Sequence, residues 1–160
     1  MAVASLLPVI GKPAPDFTLP STTGEPISLK QFKGKKSVVL YFYPKDETPG
    51  CTKEACGFRD LTPEFEKTNS IILGVSTDPI DSHLKFREKH KLPFDLVSDE
   101  DAAVSKDYGV YKQKNLYGKK YLGIERTTFI IDRTGRIAQI YPKVKVEGHV
   151  QEVLDFLREE

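Results

Sequence analysis

Val38-Val39-Leu40-Tyr41-Phe42-Tyr43, followed by Pro44-Lys45-Asp46-Glu47-Thr48-Pro49-Gly50-Cys51, is the stretch that decides the fold. An unbroken run of β-branched, aliphatic and aromatic residues, with no polar alternation, predicts a central strand over 38–43 that is covered on both faces. The run stops at a proline, which has no N–H to give to a ladder. Thr48-Pro49 then pairs a side chain able to cap a helix with a residue whose fixed φ suits the first helical position. The stretch reads as strand, turn and helix, with Cys51 in the first helical turn.

Working outward, apolar runs predict further strands over 71–75, 94–97, 128–131 and 137–141, the last two joined as a hairpin across Asp132-Arg133-Thr134-Gly135. Helices are expected from 49 to about 61, 63 to 67, 79 to 89, 101 to 108 and 149 to 160; Thr62-Pro63 and Asp78-Pro79 repeat the start signal. Near the N-terminus, 16–19 and 26–29 flank the turn-like Ser21-Thr22-Thr23-Gly24-Glu25, predicting a short β-hairpin that caps one end of the fold. Strand and helix alternate and a terminal hairpin follows. The expected class is therefore α/β, a central mixed sheet flanked by helices on both faces, as in the thioredoxin-like architecture.

The chain has 160 residues, 39% hydrophobic and 29% charged, without linker, repeat or low-complexity tract, so one domain over 1–160 is expected, with 1–10 as a loose tail. Lysine plus arginine (24) nearly cancels aspartate plus glutamate (23), which leaves no field to attract nucleic acid. The apolar opening lacks a basic segment and soon meets Gly11-Lys12-Pro13-Ala14-Pro15, so no membrane association is expected. A cytoplasmic location is the expectation, although a removed targeting peptide would leave no trace. Two cysteines are too few for a disulfide-built secreted domain.

Those cysteines carry the chemistry. Unpaired N–H groups and the positive end of the helix dipole favour an anion at Cys51, and the thiolate is the nucleophilic form of the residue. Asp46, Glu47 and Glu54 oppose that charge, so a cation from elsewhere in the chain is wanted. Cys56 lies five residues on. In an ideal helix this spacing separates the Cα atoms by roughly 8–9 Å, whereas a disulfide needs less than about 7 Å. A Cys51–Cys56 bond would thus require the turn to unwind, which suits a switch better than a permanent staple. Zinc needs about four ligands, and His83, His90 and His149 stand apart from any Cys-x-x-Cys pair; each is expected to be a solvated helix-face residue without an acid-base role. No metal and no cofactor are called for.

Pro44-x-x-x-Thr48-x-x-Cys51 after a hydrophobic strand resembles the active-site signature of the peroxiredoxins, and Cys56 in the same helix narrows this to the bacterioferritin-comigratory-protein or peroxiredoxin Q subgroup. The resemblance runs from about Gly11 to the C-terminus. Arg126, in Glu125-Arg126-Thr127-Thr128-Phe129-Ile130-Ile131-Asp132, matches the arginine that completes the site in that family. The resemblance implies a thiol peroxidase acting on hydrogen peroxide and organic hydroperoxides. Cys51 would attack the peroxide and become a sulfenic acid; Cys56 would resolve it as a disulfide, and thioredoxin or a similar dithiol would reset the enzyme. Arg126 and the N–H groups around Gly50 and Cys51 would stabilise the charges, Thr48 would offer its hydroxyl to the peroxide, and Pro44 would shield the sulfur from bulk water. With both cysteines in one chain, a monomer suffices.

Each element also has a plainer reading: Thr48 as a helix cap, Arg126 as the partner of Glu125, Pro44 as a strand end. The rival functions are a dithiol-disulfide oxidoreductase, which usually carries Cys-x-x-Cys, and a non-catalytic redox-sensing module, which needs no arginine at the sulfur.

Overall fold

The computed structural model describes residues 7–159, so residues 1–6 of the expected tail and Glu160 at the expected end of the last helix lie outside the described part. A short antiparallel hairpin of β1 (Thr18–Leu19) and β2 (Ile27–Ser28) matches the expectation. The main sheet is built from β3 (Ser37–Phe42), β4 (Ser70–Ser76), β5 (Asp95–Ser98), β8 (Thr127–Ile131) and β9 (Ile137–Tyr141). Its order is β5-β4-β3-β8-β9, with β3 central, parallel to β4 and antiparallel to β8. The apolar run beginning at Val38 is therefore the strand with a neighbour on each edge and cover on each face, as its composition requires.

Successive side chains of β3 point to opposite faces. Val38, Leu40 and Phe42 pack with Phe17, Ile27, Leu29 and Phe129, beneath the N-terminal hairpin. Val39, Tyr41 and Tyr43 pack with Cys51, Phe58, Phe86 and Leu154, so the second core layer contains the sulfur itself. Tyr41 is opposite Gly74 in the β3–β4 register. A Cβ at Gly74 would lie 2.9 Å from the Tyr41 hydroxyl oxygen and 2.8 Å from Leu96 Cδ2, so no larger residue fits. Gly74→Ala should destabilise the protein by about 1–3 kcal/mol through overpacking. A urea midpoint lowered at unchanged m-value would show it, and an unchanged midpoint would contradict the packing argument.

Among the described residues four α-helices flank the sheet: α1 (Pro49–Lys67), α2 (Ile80–His90), α3 (Ala103–Asp107) and α4 (His149–Arg158). The expected break at Thr62-Pro63 does not occur; α1 runs through Pro63. Thr62 donates its hydroxyl to the Phe58 carbonyl (2.8 Å) instead of capping a new helix. Phe58 and Phe65, both fully buried with ring centroids 5.7 Å apart, hold both halves against the sheet. Packing thus outweighs the roughly 3 kcal/mol that an interior proline costs a helix. Asp78 does not cap α2, where Pro79 takes the N-cap position; its carboxylate instead accepts from the Asp46 N–H and the Ser76 hydroxyl. The α3 helix starts later than expected, because buried Asp99 accepts the N–H groups of Val104 and Ser105.

The antiparallel hairpin of β6 (Tyr111–Leu116) and β7 (Lys119–Ile124) is absent from the sequence-based expectation. Its lysines, Gln113 and Asn115 have low strand propensity, and most of its positions are exposed on both faces, which erases the period-two signal. The usable sign was Tyr117-Gly118, a two-residue turn with φ of 52° and 80°, the type I′ pattern. Among the described residues no helix is long and apolar enough to cross a membrane.

Candidate active site

The loop that leaves β3 delivers Cys51 to the third position of α1, almost completely buried at 1% exposure. In this first turn the N–H groups of Gly50 and Cys51 have no intrahelical acceptor, and they present the positive end of the dipole to the sulfur. Arg126, from the segment between β7 and β8, donates from Nη2 to Cys51 Sγ at 3.3 Å. A Cβ on Gly50 would stand 3.1 Å from that Nη2, so the glycine leaves room for the guanidinium. The cation that the sequence called for is thus in contact with the sulfur. Arg126 is not paired with Glu125, which instead accepts from Lys112 at 3.1 Å.

The other nitrogen of the fork, Nη1, donates to Glu54 Oε1 at 2.7 Å. Glu54 is fully buried one helical turn beyond Cys51, and its Oε2 has no hydrogen-bond partner among the described residues. Burial, opposed by Arg126, pushes the Glu54 carboxyl up to about 7. The sequence expectation treated Glu54 only as a charge opposing the thiolate. It is also the group that holds Arg126 against the sulfur, and its i, i+3 spacing from Cys51, which puts both on one helix face, was the signal available.

The remaining acidic residues also point elsewhere. Glu47 reaches towards Lys89 and His90, each at 3.4 Å. Asp46 is buried and bonded to Tyr43, Ser82 and His83. Lys114, half-buried on the hairpin, adds positive charge near the sulfur; burial and then Arg126 hold its pKa below the usual lysine range.

Thr48 occupies the N-cap position of α1 but makes no capping bond. Its hydroxyl donates to the Lys45 carbonyl at 2.9 Å, so the cap reading is corrected. A short loop-internal bond competes successfully with capping for this side chain. Pro44 is half-buried at the end of β3. Cys56 is half-buried in the same continuous helix as Cys51, and both thiols are free.

The histidine expectation fails for two of three residues. His83 is 0% exposed and His149 is 2% exposed. His149 accepts from or donates to Thr128 through Nε2 (2.8 Å) and meets Glu152 through Nδ1 (3.0 Å), a set that a neutral ring satisfies, with Nδ1–H facing the carboxylate. Burial lowers its pKa accordingly. The apolar spacing of α2 and α4 places both histidines on core-facing sides, which overrides the surface preference of the residue type. Asp46, Asp78 and His83 gather potential ligand atoms within 4.8 Å of one another, but the three are already bonded to each other or to Tyr43, Ser76 and Ser82.

Comparison with known proteins fits this geometry. A family model described as "AhpC/TSA family" matches residues 10–140. Peroxiredoxin Bcp of Bacillus subtilis strain 168 is 49% identical over 94% of this chain and 95% of its own length. Peroxiredoxin Bcp of Escherichia coli K12 is 44% identical over 93% of this chain and 95% of its own. Among solved structures, peroxiredoxin Q of Xanthomonas campestris superposes with a TM-score of 0.85 at 45% identity, covering 90% of each chain. A bacterioferritin comigratory protein of the same organism, studied for its alkyl peroxide reduction activity, gives 0.87 at 42% identity over 94% of this chain and 98% of its own.

Proposed function

The chain belongs to the AhpC/TSA family, and from that premise we propose that it is a thiol peroxidase of the peroxiredoxin type, with Cys51 as nucleophile, Cys56 as resolving thiol and a thioredoxin-type dithiol as reductant. The observation that carries the reading is the Arg126 fork, one nitrogen on Cys51 Sγ and the other on Glu54. A buried structural cysteine has no use for a charged donor, and a dithiol-disulfide exchanger or a redox sensor needs none.

In the proposed cycle the Cys51 thiolate attacks one oxygen of ROOH as the O–O bond breaks. The sulfur becomes a sulfenic acid, the peroxide leaves as the alcohol or water, and the proton comes from the solvent. Arg126 and the N–H groups at Gly50 and Cys51 stabilise the charge that moves from sulfur to the leaving oxygen. Thr48, whose oxygen keeps free lone pairs at the same turn, orients the peroxide proton; Pro44 shields the mouth of the site. Cys56 then displaces hydroxide from the sulfenic acid, forming the Cys51–Cys56 disulfide and water before a second peroxide can produce the irreversible sulfinic state. The dithiol partner takes over the disulfide by exchange and restores both thiols. Hydrogen peroxide and organic hydroperoxides both fit this chemistry. Since both sulfurs lie in one chain, the working unit is a monomer, and the need for a reduced dithiol suits the cytoplasm.

A coupled assay with thioredoxin, its reductase and NADPH tests the proposal. Peroxide-dependent NADPH oxidation that requires this protein is expected; its absence with every hydroperoxide, while the protein still reduces protein disulfides, would favour the oxidoreductase reading.

Glu54 gives a pH prediction. Its folded pKa of about 7 lies above the ordinary value of 4.5, so the folded protein holds this proton more firmly than the unfolded chain. That stabilisation is complete below the unfolded value and is lost as pH rises through the folded one. Between pH 5 and 8 the wild-type unfolding free energy should fall by on the order of 2–3 kcal/mol from this group, and Glu54→Gln should flatten that decline. Equal slopes in the two proteins would contradict the assignment.

A further inference from the structure

Outside the sulfur site, the most tightly specified polar cluster lies directly behind the loop that carries Thr48 and Cys51. His83 and Asp46 face each other with side-chain exposures of 0% and 1%, Nδ1 to Oδ2 at 2.7 Å. The other ring nitrogen, Nε2, is 3.0 Å from the Val97 carbonyl. A carbonyl can only accept, so Nε2 carries a proton. Asp46 receives hydroxyl donors from Tyr43 (2.6 Å, to Oδ1) and Ser82 (2.8 Å, to Oδ2). The contact between Nδ1 and Oδ2 therefore needs a second proton, on the ring or on the carboxyl. The pair as built holds one proton more than a neutral imidazole beside a carboxylate, and it is neutral overall, as burial favours.

The charged and titratable groups facing His83 are few among the described residues. Tyr43 comes from the position just after β3, Asp46 from the loop that follows, and Asp78 from the loop between β4 and α2, where its carboxylate holds the Asp46 N–H at 2.8 Å. From β5 comes only the Val97 carbonyl.

What the pair holds is specific. Asp46 is followed by Glu47, a non-glycine residue at φ 64°, and then by Thr48 at the N-cap of α1. A left-handed non-glycine residue is strained and persists where its surroundings over-determine it. Asp46 is clamped through its backbone N–H and both carboxylate oxygens, so the strained turn starts from a fixed point and aims Thr48 and the first turn of α1 at Arg126.

We propose that His83 is a positioning residue for the peroxidase reaction, acting through Asp46: the proton-sharing pair fixes the base of the loop that carries Thr48 and Cys51. The inference rests on the peroxidase reading. It predicts that the Asp46–His83 bond and the reactivity of Cys51 are coupled although His83 does not touch the sulfur. It also implies that the loop base stays fixed while the turns of α1 beyond it open to bring Cys56 to the sulfenic acid.

Two measurements test this. In wild-type protein with 15N-labelled histidine, the ring nitrogens of His83 should report either a doubly protonated imidazolium or an Nε2–H tautomer whose Nδ1 accepts a proton from Asp46. Strong perturbation by Asp46→Asn is expected in either case. A ring whose signals ignore Asp46→Asn would overturn the proposal, whether or not any variant folds. Second, His83→Leu should slow the loss of thiols to hydrogen peroxide by about 10–100-fold, the scale of a small misplacement of reacting groups. His83→Asn, whose amide can still donate to Asp46, should recover part of that loss. A folded His83→Leu protein reacting at the wild-type rate would overturn the proposal, whereas a wild-type protein that keeps both thiols in peroxide would instead remove the peroxidase reading beneath it.

Discussion

Arg126→Ala is expected to lower the rate at which reduced protein reacts with hydrogen peroxide by about 10²–10³-fold, the usual cost of removing one donor from a charge-stabilising site. The guanidinium is within 3.3 Å of the sulfur and is the cation that contacts it, so its removal leaves only the helix N–H groups and the nearby charge of Lys114 to stabilise the charge moving onto the peroxide. The same substitution strips fully buried Glu54 of its partner. Breaking a buried pair from one side costs about 3–5 kcal/mol, softened here because Glu54 can take up a proton. The rate loss must therefore be separated from instability. Arg126→Ala combined with Glu54→Gln removes the unpaired charge and should recover most of the stability while leaving peroxide reduction slow. The chain has no tryptophan, so the rate is best followed by quenched alkylation of thiols. A folded double variant within about threefold of wild type in a rate set by this electrostatic contribution would remove Arg126 from the mechanism.

Cys56→Ser should separate the two halves of the cycle. The first equivalent of peroxide is consumed at close to the wild-type rate, because Cys56 is not in the attacking step, but Cys51 then remains a sulfenic acid that a dimedone-type reagent captures. Steady-state turnover with a protein dithiol should fall by about two orders of magnitude or more, and excess peroxide should drive the sulfur to the sulfinic state. Helix geometry sharpens the prediction. With both cysteines in one regular helix, Cα atoms about 8–9 Å apart cannot be bridged without movement. Oxidised wild type should therefore lose amide protection around the first turns of α1, and oxidised Cys56→Ser should keep it. Unimpaired turnover by the variant would mean that resolution comes from outside the chain.

Much of this organisation was legible in the residues. Val38 to Tyr43 has no polar alternation because β3 is central, and Thr48-Pro49 marks the helix start beside the sulfur. What the residues concealed was long-range. Pro63 reads as a break until Phe58 and Phe65 are seen anchoring both sides of it. The β6–β7 hairpin has little apolar periodicity because it is mostly exposed. His83 and His149 look like surface histidines because the partners that permit their burial, Asp46 and Thr128, lie 37 and 21 residues away in sequence. Thr48 has the residue type and position of a cap, yet it donates to the Lys45 carbonyl, and spacing does not distinguish that bond from one in which its oxygen accepts a helix N–H. Arg126 is legible by resemblance, whereas the second role of Glu54, as the partner of Arg126, is not, because charge alone does not say which way a carboxylate faces.

If peroxide closes a bond between Cys51 and Cys56, the intact mass and free-thiol count of fully reduced native protein before and after one equivalent of hydrogen peroxide will show it. Loss of two hydrogens and of both alkylatable thiols within seconds, reversed by a dithiol, is expected. Two thiols surviving with unchanged mass would contradict it.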